Sequence, residues 1–277
     1  MSVAPNPWKR LVPPLPLITV DIGNARIKFG VFRPVAGDAL PQPENTLALD
    51  GRRPEWDRLA AWLEEIGQGQ MHWWIGSVNR PVTGRLLDWI RRRRPADPAT
   101  LLASGDLPLD VSLDRPDMVG IDRLLNAVAA NRLRAPKRPA IVVDVGTAIT
   151  VDLLSADGAF RGGAILPGIA MSARALHEFT DLLPLVDLSE LAEPPAALGT
   201  ATVPAMQSGL FWYAVGAIRE LAEQFSQGLD RRPEIFLTGG AGPAVAELLG
   251  GDTTHVPQLT LAGIALAARY DVETSPS

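Results

Sequence analysis

Apolar residues fall along this chain in two periods, and the shorter one ends twice in the same way. Leu17-Ile18-Thr19-Val20 runs into Asp21, Ala140-Ile141-Val142-Val143 runs into Asp144, and a glycine stands two residues after each acid. Short apolar runs that stop at an acid beside a glycine turn read as buried strands. Trp73–Val78 and Glu234–Thr238 read as further strands. Thr150–Leu154, the turn at Asp157-Gly158 and Phe160-Arg161-Gly162-Gly163 together read as a hairpin. Helical spacing marks Trp56–Ile66, Leu86–Arg93, Asp122–Arg134, Met206–Phe225, Pro243–Leu249 and Leu259–Arg269. In Asp122–Arg134 the apolar stripe is Leu125, Val128 and Ala129.

The two acid-tipped strands lie 123 residues apart and open two similar halves. That pattern suits two α/β domains with a cleft between them. A simple dinucleotide-binding fold is a poorer match, because no Gly-x-Gly-x-x-Gly follows either strand. Composition agrees with a folded chain: 277 residues, 47% hydrophobic and 21% charged, leave room for one large core or two modest ones. The formal net charge of −5 offers no basic face to nucleic acid, and the run Arg91–Arg94 reads as a solvated helix end. Cysteine is absent, which removes disulfides and thiolate chemistry and suits a reducing cytosol. His72, His177 and His255 lack metal-ligand spacing. No stretch approaches the ~20 apolar residues of a membrane span. The proline-rich start lacks a signal-peptide core. A cytoplasmic protein with no membrane or nucleic-acid partner is expected.

Four segments can carry chemistry. In Asp21-Ile22-Gly23-Asn24-Ala25-Arg26-Ile27-Lys28, the glycine lets backbone approach a phosphate and the acid can hold hydrated Mg²⁺. Asn24, Lys28 and backbone N–H groups can offset phosphate charge, and Lys28 is one of only three lysines, with Lys9 and Lys137. An ordinary hairpin with a capping acid is the alternative. Asp144-Val145-Gly146-Thr147 repeats the logic, with Asp144 suited to a cation and the Thr147 hydroxyl to a phosphate. Two such turns can pinch a polyphosphate from both sides. Gly239-Gly240-Ala241-Gly242 permits close packing of an adenosine, or is a tight turn without a ligand. Asp122-Arg123, after Val119-Gly120-Ile121, is either a helix-start acid or an acceptor site, the Asp taking an alcohol proton and the Arg clamping an anion.

In order and spacing, these segments resemble the type III pantothenate kinases, a branch of the actin-like ATPase superfamily. The resemblance runs from about Leu17 to Arg269. It rests on DIGNARIKFG (21–30), VGIDRLLNAVAA (119–130), VVDVGTAITVDLL (142–154), RGGAILPGIAMS (161–172), TDLLPLVDL (180–188), GTATVPAMQSGL (199–210), LTGGAG (237–242) and LTLAGI (259–264).

The resemblance implies two actin-like (ribonuclease H-like) α/β domains with an interdomain nucleotide cleft. One is residues 1–138, opening with a proline-rich extension (1–16) and completed by the C-terminal helix 259–273; the other is residues 139–258. It implies ATP-dependent phosphorylation of pantothenate to 4′-phosphopantothenate, the first step of coenzyme A biosynthesis. ATP would be bound by Asp21, Ile22, Gly23, Asn24, Ala25, Arg26, Ile27, Lys28 and Thr147. Pantothenate would meet Gly120, Ile121, Asp122, Arg123 and Thr180, with Asp122 as the proton acceptor. Mg²⁺ would come with ATP, and Asp144 would hold a monovalent cation, K⁺ or NH₄⁺. A homodimer is implied, since the Thr180 contact can reach across a dimer interface in this family.

Three positions depart from the family pattern. Ala25 stands where Thr or Ser is usual, Leu113 where a tyrosine often lines the acceptor pocket, and Phe179 where an arginine is common. Two other readings therefore remain: a kinase for another small alcohol, and a non-catalytic relative that binds ligand and regulates a partner.

Overall fold

The structure is a computed structural model, and it describes residues 16–33, 39–67, 69–186, 193–240, 242–251 and 253–274. Residues 1–15 of the proline-rich start lie outside it.

Every residue of β1 (Leu17–Ile22) is buried, the pattern of a central strand covered on both faces. Around it stand β2 (Arg26–Phe32), β3 (Asn45–Asp50), α1 (Trp56–Ile66), β4 (His72–Ser77), α2 (Arg80–Arg93) and β5 (Ala99–Leu101). Single 3-10 turns at Ser104–Asp106 and Pro116–Met118 lead to α3 (Ile121–Leu133). Then follow β6 (Ala140–Val145), β7 (Ala148–Leu154), β8 (Phe160–Pro167), α4 (Ile169–Glu178), α5 (Thr202–Ser226), β9 (Glu234–Thr238), α6 (Gly242–Leu249), β10 (Thr253–His255) and α7 (Leu259–Thr274).

The first sheet has the order β3-β2-β1-β4-β5. Its β1–β2 and β2–β3 pairs are antiparallel, and its β1–β4 and β4–β5 pairs are parallel. Read from β8, the second sheet is β8-β7-β6-β9-β10 with the same sequence of antiparallel and parallel pairs. Each half thus winds third-second-first-fourth-fifth around its own first strand, and the repeat seen in two acid-tipped turns extends through ten strands. The fold is α/β with two mixed sheets.

The chain divides into two compact units. Unit one is Met1–Asp110, Asp114–Leu133 and Gln258–Ser277; unit two is Val111–Leu113 and Arg134–Pro257. Val111–Leu113 joins unit two because Val111 bridges to Phe160 and the Ser112 N–H donates to the Phe160 carbonyl at 3.0 Å.

In unit one, Ile18, Val20, Phe29, Trp73 and Ile75 pack against Leu59, Trp62 and Leu63 of α1 and Val82, Leu86, Trp89 and Ile90 of α2. Phe29, Trp62, Trp73 and Trp89 meet ring to ring at 6.2–6.5 Å, the spacing at which aromatic pairs attract beyond their buried area. Helix α2 starts earlier than its apolar stripe because Asn79 caps it, accepting from the Val82 N–H at 3.3 Å, with Pro81 in the first turn.

Helices α3 and α7 pack together closely enough that a Cβ on Gly263 would lie 2.1 Å from the Leu125 carbonyl oxygen. The Thr260 hydroxyl donates to Asn126 Oδ1 at 2.9 Å, both residues being buried. On β4, a Cβ at Gly76 would lie 2.6 Å from Leu125 Cδ1. Helix α3, which carries Asp122, is thereby held against both α7 and the sheet. Unit two buries Ile141, Val143, Val145, Ile149 and Val151 against α4, α5 and α6 through Ile169, Phe211, Val215, Ile218 and Val245.

Candidate functional site

Both acid-tipped turns are tight hairpin corners, and each is built differently. In unit one, β1 and β2 pair up to Ile22–Ile27, and the Gly23 N–H closes the corner on the Arg26 carbonyl at 3.0 Å. Asp21 pairs with Lys28 across the strands, so their side chains share a face. Lys28 Nζ lies 3.7 Å from Asp21 Oδ2, with the carboxylate largely buried and the ammonium about one-third exposed. This leaves a lysine able to turn toward an incoming anion at the mouth of a glycine corner. Gly23 and Ala25 are half-buried, while Asn24 and Arg26 are exposed. Ile22 and Ile27 are fully buried, main chain included, and the Ile22 carbonyl accepts from the Val78 N–H at 3.0 Å, so neither of these two expected ATP contacts presents an exposed atom to a ligand.

Behind this corner lies Gly51, just past β3. Its N–H donates to the Ala25 carbonyl at 2.8 Å, and a Cβ there would sit 3.1 Å from the Ala25 carbonyl carbon. Asp50 folds the next turn by accepting from the Arg52 and Arg53 N–H groups at 2.7 and 2.9 Å. Those bonds, the one from Arg53 first, hold the Asp50 carboxyl below the usual carboxylate range.

In unit two the corner is one residue shorter. Strands β6 and β7 pair up to Val145–Ile149, and the Gly146 N–H donates to the Ala148 carbonyl at 3.0 Å. Asp144 is half-buried and faces Thr150, while Gly146 and Thr147 are exposed. Two glycines line Asp144. A Cβ on Gly146 would lie 3.4 Å from Asp144 Oδ1, and one on Gly239 would lie 2.7 Å from it and 2.5 Å from the Val145 carbonyl oxygen. Gly239 also has φ +97°, a conformation that suits glycine. Gly168 closes the corner from behind: its N–H donates to the Thr147 carbonyl at 3.1 Å, and a Cβ there would meet the Gly146 and Thr147 carbonyl oxygens at 2.3 and 2.4 Å.

The acceptor segment stands at the start of α3 in unit one. Asp122 Oδ1 accepts from the Arg123 N–H at 2.9 Å, and a Cβ on Gly120 would lie 2.6 Å from that oxygen. Glycine at 120 is therefore what lets the carboxylate fold over the helix start. Ile121 is buried, and Asp122, Arg123 and Gly120 are half-buried. Thr180 is in unit two just beyond α4, exposed, with its hydroxyl donating to the Leu176 carbonyl at 2.6 Å. Phe179 beside it is 85% exposed. Leu113 is half-buried against Gly162 of β8, where a Cβ would lie 3.3 Å from Leu113 Cδ2.

Unit one thus brings Asp21, Gly23–Arg26 and Lys28 together on one corner, and Gly120–Arg123 together at one helix start. Unit two does the same for Asp144 and Thr147. Sequence reasoning missed Gly51, Gly168 and the specific part of Gly239. The signal available for the first two was a glycine directly after the third strand of each half, at Asp50-Gly51 and Pro167-Gly168.

The donor sets can be tested against the ions that such a site would take. One carboxylate with neighbouring backbone carbonyls, in a cradle that a Cβ at 239 would fill, is a hard-oxygen set of single negative charge and fits a monovalent cation at Asp144. A single carboxylate at Asp21 fits Mg²⁺, which keeps waters and leans on substrate phosphates.

The sequence pattern of the type III pantothenate kinases matches residues 17–224. A type III pantothenate kinase of Paramagnetospirillum magneticum is 38% identical over 256 residues, covering 90% of this chain and 95% of its own. The enzyme of that name from Rhodospirillum rubrum is 34% identical over 261 residues, covering 91% and 98%. Two solved structures share the fold. A candidate 2-dehydro-3-deoxygalactonokinase from Sinorhizobium meliloti has a TM-score of 0.51 at 12% identity, covering 91% of this chain and 98% of its own. A candidate N-acetylmannosamine kinase from Listeria monocytogenes has 0.50 at 15%, covering 94% and 100%.

Proposed function

From the premise that the chain belongs to the type III pantothenate kinases, ATP-dependent enzymes that make 4′-phosphopantothenate for coenzyme A, we propose a division of labour among its own residues. The Gly23–Arg26 corner and Lys28 bind the ATP phosphates, with Asp21 toward Mg²⁺. Thr147 adds a second nucleotide contact, and Asp144 takes K⁺ or NH₄⁺. Asp122 receives the proton of the pantothenate hydroxyl, and Arg123 clamps the substrate carboxylate with its planar fork. Thr180 adds a further pantothenate contact.

The observation that carries this reading is the Asp21–Lys28 pair at a glycine corner. A lysine one-third exposed beside a carboxylate can exchange that partner for a phosphate while its charge stays compensated. A carboxylate is too weak a base to remove an alcohol proton beforehand, so Asp122 orients the hydroxyl and takes the proton as the new P–O bond forms. Mg²⁺, when bound with ATP, draws charge from the transferring phosphoryl group. Backbone N–H groups of the corner contribute in the same sense, and because the fold fixes them they need no reorganisation.

Exposed apolar residues on unit two support the homodimer. Phe179, Leu182 and Leu198 are 81–86% exposed and Leu185 is 58% exposed, more than a lone surface leucine would require. Among the described residues, no helix is long and apolar enough to cross a membrane, and a cytoplasmic location fits the proposed substrates. The direct test incubates purified protein with ATP, Mg²⁺, K⁺ and pantothenate and looks for 4′-phosphopantothenate by mass. No product above a no-enzyme control, with ATP binding intact, would refute the assignment of the acceptor.

A further inference from the structure

The two corners are braced alike, and the difference between the braces singles out a residue. In unit two the brace is Gly168: its N–H holds the Thr147 carbonyl, and its own carbonyl accepts the Ser172 N–H at 2.9 Å, the first hydrogen bond of α4. The helix itself thus fixes Gly168. In unit one the counterpart is Gly51, whose N–H holds the Ala25 carbonyl at 2.8 Å. No helix begins at Gly51; α1 starts only at Trp56. The Gly51 carbonyl instead accepts from Arg85 Nη2 at 3.1 Å, and Arg85 Nη1 reaches the Arg52 carbonyl at 3.5 Å. Arg85 belongs to α2, whose apolar face is buried in the unit-one core.

We propose that Arg85 is a positioning residue for the ATP-phosphate corner, a side chain doing for Gly51 what the first turn of α4 does for Gly168. The path is continuous: the guanidinium on α2 fixes the Gly51 carbonyl, and the Gly51 N–H fixes Ala25. A Cβ on Gly51 would lie 3.1–3.2 Å from the Ala25–Arg26 backbone, so a shift at 51 is felt at 25. Residue 25 is alanine, so no side-chain hydroxyl at that position supplements the backbone N–H groups of the corner. Arg85 touches no substrate in this scheme and acts through Gly51.

The inference rests on the reading of Gly23–Arg26 as the phosphate corner, and the experiment separates the two. Steady-state kinetics with ATP and pantothenate varied separately, together with thermal melting, would be run on wild type, Arg85→Met and Arg85→Lys. Loss of a charge-assisted hydrogen bond that is partly exposed should raise the KM for ATP about five- to tenfold in Arg85→Met. The KM for pantothenate should stay within twofold and the melting temperature should change little. Arg85→Lys, which keeps one donor, should recover part of the ATP affinity. Arg85→Met with an unchanged KM for ATP would overturn the clamp alone. So would equal loss for both substrates in step with a lowered melting temperature, the mark of a merely structural role. A wild-type protein that neither binds ATP nor phosphorylates pantothenate would remove the parent reading and the clamp with it.

Discussion

Substituting Gly239 by alanine tests how tightly the Asp144 cradle is built. The new methyl would stand 2.5 Å from the Val145 carbonyl oxygen, 2.6 Å from its carbonyl carbon and 2.7 Å from Asp144 Oδ1. Real Cβ atoms do not approach so closely, and two of the three obstacles are backbone of the central strand β6. Relief by local shifts costs about 1–3 kcal/mol, as for other overpacked sites. The φ of +97° adds strain on the order of 1–2 kcal/mol for any residue with a Cβ. Together they predict a loss of roughly 2–5 kcal/mol. With a urea slope of about 2 kcal/mol per M, the unfolding midpoint of unit two should fall by about 1–2.5 M. Gly240→Ala is the control, since its Cβ would meet nothing within 4 Å; its midpoint should move by less than about 0.3 M, the usual scatter of surface substitutions. The assay is equilibrium urea unfolding followed by far-ultraviolet circular dichroism, whose helical signal includes the 25-residue α5 of unit two. Equal midpoints for the two variants would refute the close approach and with it the cradle.

Three further outcomes are expected. Asp122→Asn should lower kcat by about 10²–10⁴ while the KM for ATP stays near wild type; comparable loss of ATP affinity in a binding titration would contradict the proton-acceptor role. Ala25→Thr adds a hydroxyl to the proposed phosphate corner and should lower the KM for ATP about three- to tenfold, whereas an unchanged or raised KM would mean that the position does not face phosphate. The Asp50 turn should respond to acid. Its folded pKa is depressed, so its contribution is complete above the unfolded value near 4 and is lost as pH falls through the lower folded value. The Arg52 and Arg53 amide resonances followed between about pH 6 and 2 should inflect below the usual Asp range, and an inflection at or above it would sink this assignment.

The sequence made the central strands legible because they are buried on both faces and end in an acid and a turn. Glu234–Thr238 and Trp56–Ile66 were read with the bounds the structure has. Where local pattern was weak, elements were missed. Strands β5 and β10 are three residues each and exist because β4 and β9 offer them a ladder. Strand β3 shows little burial and hence no apolar run. Helix α4 follows Pro167-Gly168, punctuation that reads as a loop until the Gly168 N–H is seen to be spent on Thr147. Within the candidate site, the acids and the lysine could be named from their chemistry. The braces Gly51, Gly168 and Arg85 could not, because what they do depends on contacts across as many as 34 residues that no local spacing encodes.

The membership of α7 in unit one has a consequence for synthesis on the ribosome. Unit two is nearly contiguous, while the segment that contributes Thr260 and Gly263 to α3 is translated after all of it. The N-terminal sheet must therefore wait, with the α3 surface around Leu125 uncovered, until the second half has emerged. A chain ending at Pro257 and tethered to the ribosome by a linker long enough to clear the exit tunnel should already protect the β6–β7 amides from hydrogen exchange while those of α3 exchange freely. Protection of α3 in that tethered chain would show that the late helix is dispensable for its docking.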